Sequence, residues 1–113
     1  MHRLLLSFLL IIASCVVVSA QDITETEFRV AGNCGQCKTR IEKAVTIKGV
    51  KFARWNKSTK MLKVAFVTTA VTQDSLQRRI ADVGHDTGTY KASNAVYETL
   101  PECCLYRDNT HTH

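Results

Sequence analysis

Two thiols stand three residues apart in the stretch VAGNCGQCKTRIEKA, where Cys34 and Cys37 lie in a glycine-flanked loop that runs into an amphipathic pattern. Thiols at the mouth of a helix can form a structural disulfide, a redox couple or a metal clamp. A second pair, Cys103-Cys104, is vicinal and follows Pro101, which turns the chain sharply just before it. Adjacent cysteines rarely bridge one another, because the small ring strains the peptide bond. That leaves the pair as auxiliary metal ligands, on the Cys34–Cys37 site or a second one, or as half of a disulfide to another thiol. His85 sits between Gly84 and Asp86, and the chain ends in His111-Thr112-His113, a weak chelator of divalent ions or an inert end.

The elements that must position these groups are legible in the pattern. Residues 24–30, TETEFRV, alternate as a strand, and Gly32-Asn33 break it. From Gln36 onward Cys37, Ile41, Ala44 and Val45 recur at helical spacing, with Lys38, Arg40, Glu42 and Lys43 opposite and Gly49 as the stop. Lys38, Arg40 and Lys43 are either a docking face for an acidic partner or a solvated side. The run VKFARWNKSTKMLKVAFV reads as a hairpin turning at residues 56–60, with a bulge to be expected in its first arm. Trp55 and Phe66 are placed in the sheet core. Thr72 is an N-cap for a second helix carrying Leu76, Ile80 and Val83, stopped by Gly84, and residues 87–91 supply a last strand. The order is βαββαβ, a ferredoxin-like α+β sandwich with two helices on one face of a four-stranded antiparallel sheet. Residues 92–113 are an extension, partly helical near residues 94–100, with a loose tail.

In that layout Cys34 lies in the first β–α loop and Cys37 in the first helical turn, where free amides and the helix dipole favour thiolate. Two ionisable sulfurs suit a soft ion such as Cu(I), which accepts two thiolates; Zn(II) ordinarily takes four ligands. A thioredoxin-like couple normally needs a cis-proline facing the thiols, and Pro101 is the single proline. Redox chemistry at the same CxxC therefore stands as the alternative. No acid–base pair, nucleophile triad or phosphate loop appears, so the chain does not read as an enzyme.

Residues 1–20 have the build of a secretory signal peptide: a basic start at Arg3, an apolar run, and Val18-x-Ala20 ahead of polar Gln21-Asp22. An exported, periplasmic protein is expected, with lipid anchoring through Cys15 of the Ile12–Cys15 stretch as the alternative. No transmembrane segment is expected in the mature chain. Its net charge falls from +5 to +4, because Arg3 is the one charged residue removed. That mild excess is a solubility feature and excludes the basic footprint of a nucleic-acid binder. About 65 residues separate Cys37 from the Cys103-Cys104 pair. This spacing is unlike a small scaffold stapled along its length by disulfides.

The segments GNCGQCKTRIEKA, GVKFARWN, LKVAF and IADVGHDT together resemble the heavy-metal-associated domain of small copper chaperones and of the N-terminal modules of metal-exporting P-type ATPases. The resemblance covers about residues 25–91, so the chain divides into a signal peptide (1–20), this domain (24–91) and the extension (92–113). It implies that Cys34 and Cys37 hold the metal, Cu(I) first, with Zn(II), Hg(II) or Cd(II) as other occupants. It further implies a chaperone or scavenger that serves a metal-transporting ATPase or another metal-handling protein. The family loop carries a methionine before its first cysteine that packs inward beneath the loop; here Gly32-Asn33-Cys34 is one residue shorter and lacks it. The resemblance also places the loop of His85 beside the metal loop, where a Tyr, Lys or His tunes the site by hydrogen bonding or charge. The residues alone leave an exposed turn histidine equally open. The ending YETLPECCLYR looks like a tail seen on exported bacterial members.

Overall fold

The computed structural model describes residues 21–107. The signal-peptide reading, Cys15, His111 and His113 lie outside the described residues. Strand β1 (Ile23–Arg29) leads through the Cys34 loop into helix α1 (Gly35–Ala44). Strands β2 (Val50–Trp55) and β3 (Met61–Val67) form a hairpin, and α2 (Gln73–Asp82) follows. Beyond residue 92 come one turn of helix, α3 (Asn94–Tyr97), and a 3₁₀ turn, Glu102–Cys104.

The sheet is antiparallel in the order β1-β3-β2. Phe28 of β1 opposite Leu62 of β3 shows the register, and both side chains are buried. The bulge lies in β2, where the register against β3 shifts between Val50 and Phe52. This shift accounts for the uneven apolar pattern of that strand. Asn56 closes the hairpin by accepting hydrogen bonds from the amides of Ser58 and Thr59 at 2.8 and 3.0 Å.

Ile41 and Val45 from the first helix and Leu76 and Ile80 from the second pack with Phe28, Leu62, Val64 and Phe66 in one core. Both helices begin where the sequence pattern puts them. Helix α1 stops at Ala44, earlier than Gly49, and Lys48 and Gly49 form a separate turn in which the Val50 amide donates to Ile47 O at 3.0 Å. At α2, Thr72 and Ser75 cap each other reciprocally.

The architecture is the ferredoxin-like one, with a correction at its fourth strand. Among the described residues the sheet has three strands, and the expected strand at 87–91 is reduced to a single bridge, Val30 to Thr87. The segment spends its polar groups on itself: the Thr87 amide bonds to Tyr90 O at 2.8 Å, and the Thr87 hydroxyl accepts from the Tyr90 amide at 2.9 Å. A second correction concerns the tail. Residues 92–107 are packed onto the domain, with Leu100 and Cys104 inside the core.

Candidate metal centre

The site is built at the junction of β1 and α1. Cys34 is the N-cap residue of α1, in extended conformation, and the Cys37 amide of the first turn faces its sulfur. Cys37 follows one turn in, fully buried. The two sulfurs are 3.2 Å apart. Asn33 holds Cys37 from both sides: its amide donates to the sulfur, and its side-chain oxygen accepts from the thiol, each at 3.4 Å.

Beneath the loop the indole of Trp55 packs against Gly32. A Cβ at Gly32 would stand 3.0 Å from the ring and 3.0 Å from the Cys37 Cβ. The indole Nε1 donates to the carbonyl of Val30 at 3.0 Å, fixing the loop's entry. The last residue of β2 is therefore the floor of the metal loop, a role beyond the sheet-core one expected for it.

The tail brings the other two thiols to the same point. Cys34 Sγ lies 3.1 Å from Cys103 Sγ and 3.2 Å from Cys104 Sγ. The sulfurs of Cys34, Cys37 and Cys104 all fall within 4.8 Å of one another, and all three residues are buried. Cys103 is half-buried at the rim, its sulfur 3.9 Å from that of Cys104. The two-thiol loop is thus covered: Cys34 retains 7% of its surface and Cys37 none.

Four thiols at one point cannot all ionise, and the structure singles out one. Burial pushes Cys34 up, but hydrogen bonds from Cys103, the Cys37 amide and the thiols of Cys37 and Cys104 outweigh it and bring its pKa down to about 7. Burial raises Cys37, against a pull downward from the Asn33 amide. Cys104 is pushed well up by burial and by its hydrogen bonds to Cys37 and Cys34. Cys103 is raised chiefly by its bond to Cys34. The reduced site is one thiolate surrounded by thiols.

His85 is not an exposed turn residue; it is fully buried. Its Nδ1 donates to the carbonyl of Ala31 at 2.9 Å, which leaves Nε2 an unprotonated acceptor without a hydrogen-bond partner among the described residues. Burial lowers its pKa, so the ring is neutral. It stands outside the thiol cluster and acts on the backbone of the metal loop. Two of the α1 cations are engaged elsewhere. Lys38 pairs with Glu42 and bonds to Trp55 O, and Arg40 donates to Val83 O at 2.8 Å.

Asn33, Asp86, Tyr106 and Arg107 were not among the expected site residues. Asn33 beside Cys34, Asp86 beside His85, and Tyr106-Arg107 just past the vicinal thiols were the available signals.

No family model matches the sequence, and no curated protein matches it significantly. Solved structures do. A CopZ metallochaperone is 29% identical with a TM-score of 0.54, the alignment covering 57% of this chain and 98% of that one. The N-terminal domain of a potential copper-translocating P-type ATPase from Bacillus subtilis, in the Cu(I)-loaded state, is 25% identical with a TM-score of 0.55, covering 58% and 85%. Oxidized MerP from Ralstonia metallidurans CH34, 22% identical, shares the fold at a TM-score of 0.56 over 59% and 96%. The fold is that of the heavy-metal-associated domain. Within the heavy-metal-associated fold, the Cys34–Cys37 pair fits the CxxC position. Among the described residues no helix is long and apolar enough to cross a membrane.

Proposed function

We propose that this chain is an exported carrier of a soft heavy-metal ion, cuprous copper first, which Cys34 and Cys37 hold as cargo. The observation that carries this reading is the pair of sulfurs 3.2 Å apart at the start of α1, one of them ionising at about 7. A thiolate already formed near neutral pH meets a soft cation without first losing a proton, and a second thiol stands beside it. The Cu(I)-loaded ATPase domain among its structural neighbours supports copper, the metallochaperone supports a carrier, and the softness of Hg(II) makes it a competitor for the thiols. Zn(II) and Cd(II), which accept several thiolates, are further competitors. The carrier serves a metal-transporting ATPase or a similar thiol-bearing acceptor, by ligand exchange and without catalysis. Export rests on residues 1–20, whose basic start, apolar run and Val18-x-Ala20 pattern mark a cleaved leader.

The test is a Cu(I) titration of the reduced mature protein against a competing chelator, beside the Cys34→Ser/Cys37→Ser double variant. One-to-one binding that is lost in the variant supports the carrier. Equal binding by both proteins would move the metal to other groups. Binding by neither would return the CxxC to redox chemistry.

A further inference from the structure

The tail thiols are not at the site by accident of a loose end. Loop residues Gly84, His85 and Asp86 form a keystone that grips the metal loop on one side and the tail on the other. Toward the metal loop, the Ala31 amide bonds to Asp86 O at 2.8 Å, and His85 Nδ1 bonds to Ala31 O. Toward the tail, the Tyr106 hydroxyl accepts from the Asp86 amide at 2.8 Å and donates to Gly84 O at 2.7 Å, while its ring stacks on His85. Arg107 grips the Asp86 carboxylate with two nitrogens at 2.7 and 3.1 Å and lies over the ring of Tyr97. Gly84, at φ +109°, leaves room for Leu100, whose Cδ2 would stand 2.8 Å from any added Cβ. Between these anchors Pro101 and the 3₁₀ turn aim Cys104 inward and leave Cys103 at the rim.

We propose that residues 92–107 are a clasp that turns the Cys34–Cys37 pair into a three-thiolate pocket closed by Cys104, with Cys103 as the rim thiol through which the soft ion is exchanged. The inference rests on the carrier reading and adds to it the coordination number and the route. Metal–sulfur bonds of about 2.3 Å put the sulfurs of a trigonal site about 4 Å apart. Cys34 stands 3.2 Å from both Cys37 and Cys104, so an ion at their centre requires the sulfurs to part by under about 1 Å. Cys103 borders a cleft of about 630 Å³ also lined by Cys34, Gln36, Thr39, Arg40 and Pro101, which gives an incoming thiolate a place to approach. On entry, Cys103 loses its proton to water and forms a bond to the ion as one donor thiolate leaves. Cys34 then bonds as the thiolate it already is, and Cys37 and Cys104 bond as each gives up its proton, one to Cys103 and the other to the remaining donor thiolate, which both leave the ion as thiols. No electron moves.

The experiment measures Cu(I) affinity by chelator competition, the number and length of Cu–S bonds by X-ray absorption, and the rate of transfer to a thiol chelator. It compares the reduced mature protein with Cys104→Ala, Cys103→Ala and Arg107→Ala, each checked for its fold by circular dichroism. The expected result is three sulfurs in the parent. Cys104→Ala should fall to two sulfurs with shorter bonds and at least tenfold weaker binding. Cys103→Ala should keep three sulfurs while its transfer rate falls several-fold. Arg107→Ala, with all four thiols intact but the clasp unpinned, should bind more weakly than the parent. Two sulfurs and unchanged affinity in parent and Cys104→Ala alike would overturn the clasp while leaving the carrier standing. Four sulfurs in the parent, or undiminished transfer in Cys103→Ala, would overturn the rim role. Absence of Cu(I) binding by the parent would overturn the carrier and the clasp together.

Discussion

Cys34 and Cys37 are held by a loop that passes directly from a strand into a helix, whereas Cys103 and Cys104 are held by a segment with one turn of α-helix and one 3₁₀ turn. In the first region local backbone geometry fixes the thiols: the start of α1 places one sulfur before the first turn and the next sulfur one turn in. In the second region the local backbone would wander, and the thiols are placed by contacts to a loop about twenty residues earlier, through Tyr106, Arg107 and Leu100. The two regions therefore fail differently. Damage to the first requires breaking the core beneath it, while release of the second withdraws Leu100 and Cys104 from that core and leaves the sheet and its two helices in place.

The largest expected effect is on the floor of the first region. Trp55 is 1% exposed and props the metal loop at Gly32. Trp55→Ala should cost about 4 kcal/mol in chemical denaturation, a large part of a small domain's stability. Metal affinity should fall with it. Trp55→Phe keeps most of the packing but strands the Val30 carbonyl, at about 1–2 kcal/mol. If Trp55→Ala unfolds no more easily than the parent, the loop is held by something other than its floor.

The same contrast explains what the sequence disclosed. Cys34, Cys37, the second helix behind Thr72 and the bulged hairpin were legible because each depends on residues within a few positions: a cap, a helical period, an alternation. The fourth strand was misread because Thr87 and Tyr90 satisfy each other locally, and alternation cannot report that competition. Cys103-Cys104 could be named as thiols but not placed, since their position depends on the Arg107–Asp86 pair across the fold. The burial of His85 was hidden for the same reason: the Tyr106 ring that stacks on it arrives from the tail.

Releasing the second region is the intermediate effect. The Asp86 carboxylate accepts from Arg107 and from the Ala92 amide at 2.8 Å, at 19% side-chain exposure. Asp86→Ala should loosen residues 92–107 by about 2 kcal/mol, seen as faster amide exchange there while β1 and β3 keep their protection. Burial would raise this carboxyl, yet the Arg107 bonds win and lower it. A folded pKa below the free value of 3.8 means the bond's contribution is present above 3.8 and lost as pH falls through the lowered value. The clasp should therefore open in acid before the core does. Equal exchange gains in strands and tail would show one cooperative unit in place of two regions.

The smallest effect sharpens the comparison at the point where the regions meet. In the reduced, metal-free protein one thiol should titrate at about 7, followed by thiolate absorbance and by alkylation rate against pH, with the modified residue identified as Cys34. Burial opposes that ionisation, and the Cys103 thiol is the foremost group favouring it, so Cys103→Ala should move the titration upward and slow alkylation at neutral pH. The sign for stability follows from the directions. Cys34, lowered from 9.0, stabilises the fold above 9.0 and loses that contribution as pH falls through about 7. Cys37, Cys103 and Cys104 are raised, so their contribution is whole below 9.0 and is lost as pH rises beyond it. The thiol cluster should thus favour folding most near pH 9, and Cys103→Ala should flatten the rise between about 7 and 9. An alkylation profile unchanged by Cys103→Ala would mean that the helix start alone ionises Cys34, with nothing contributed from the tail.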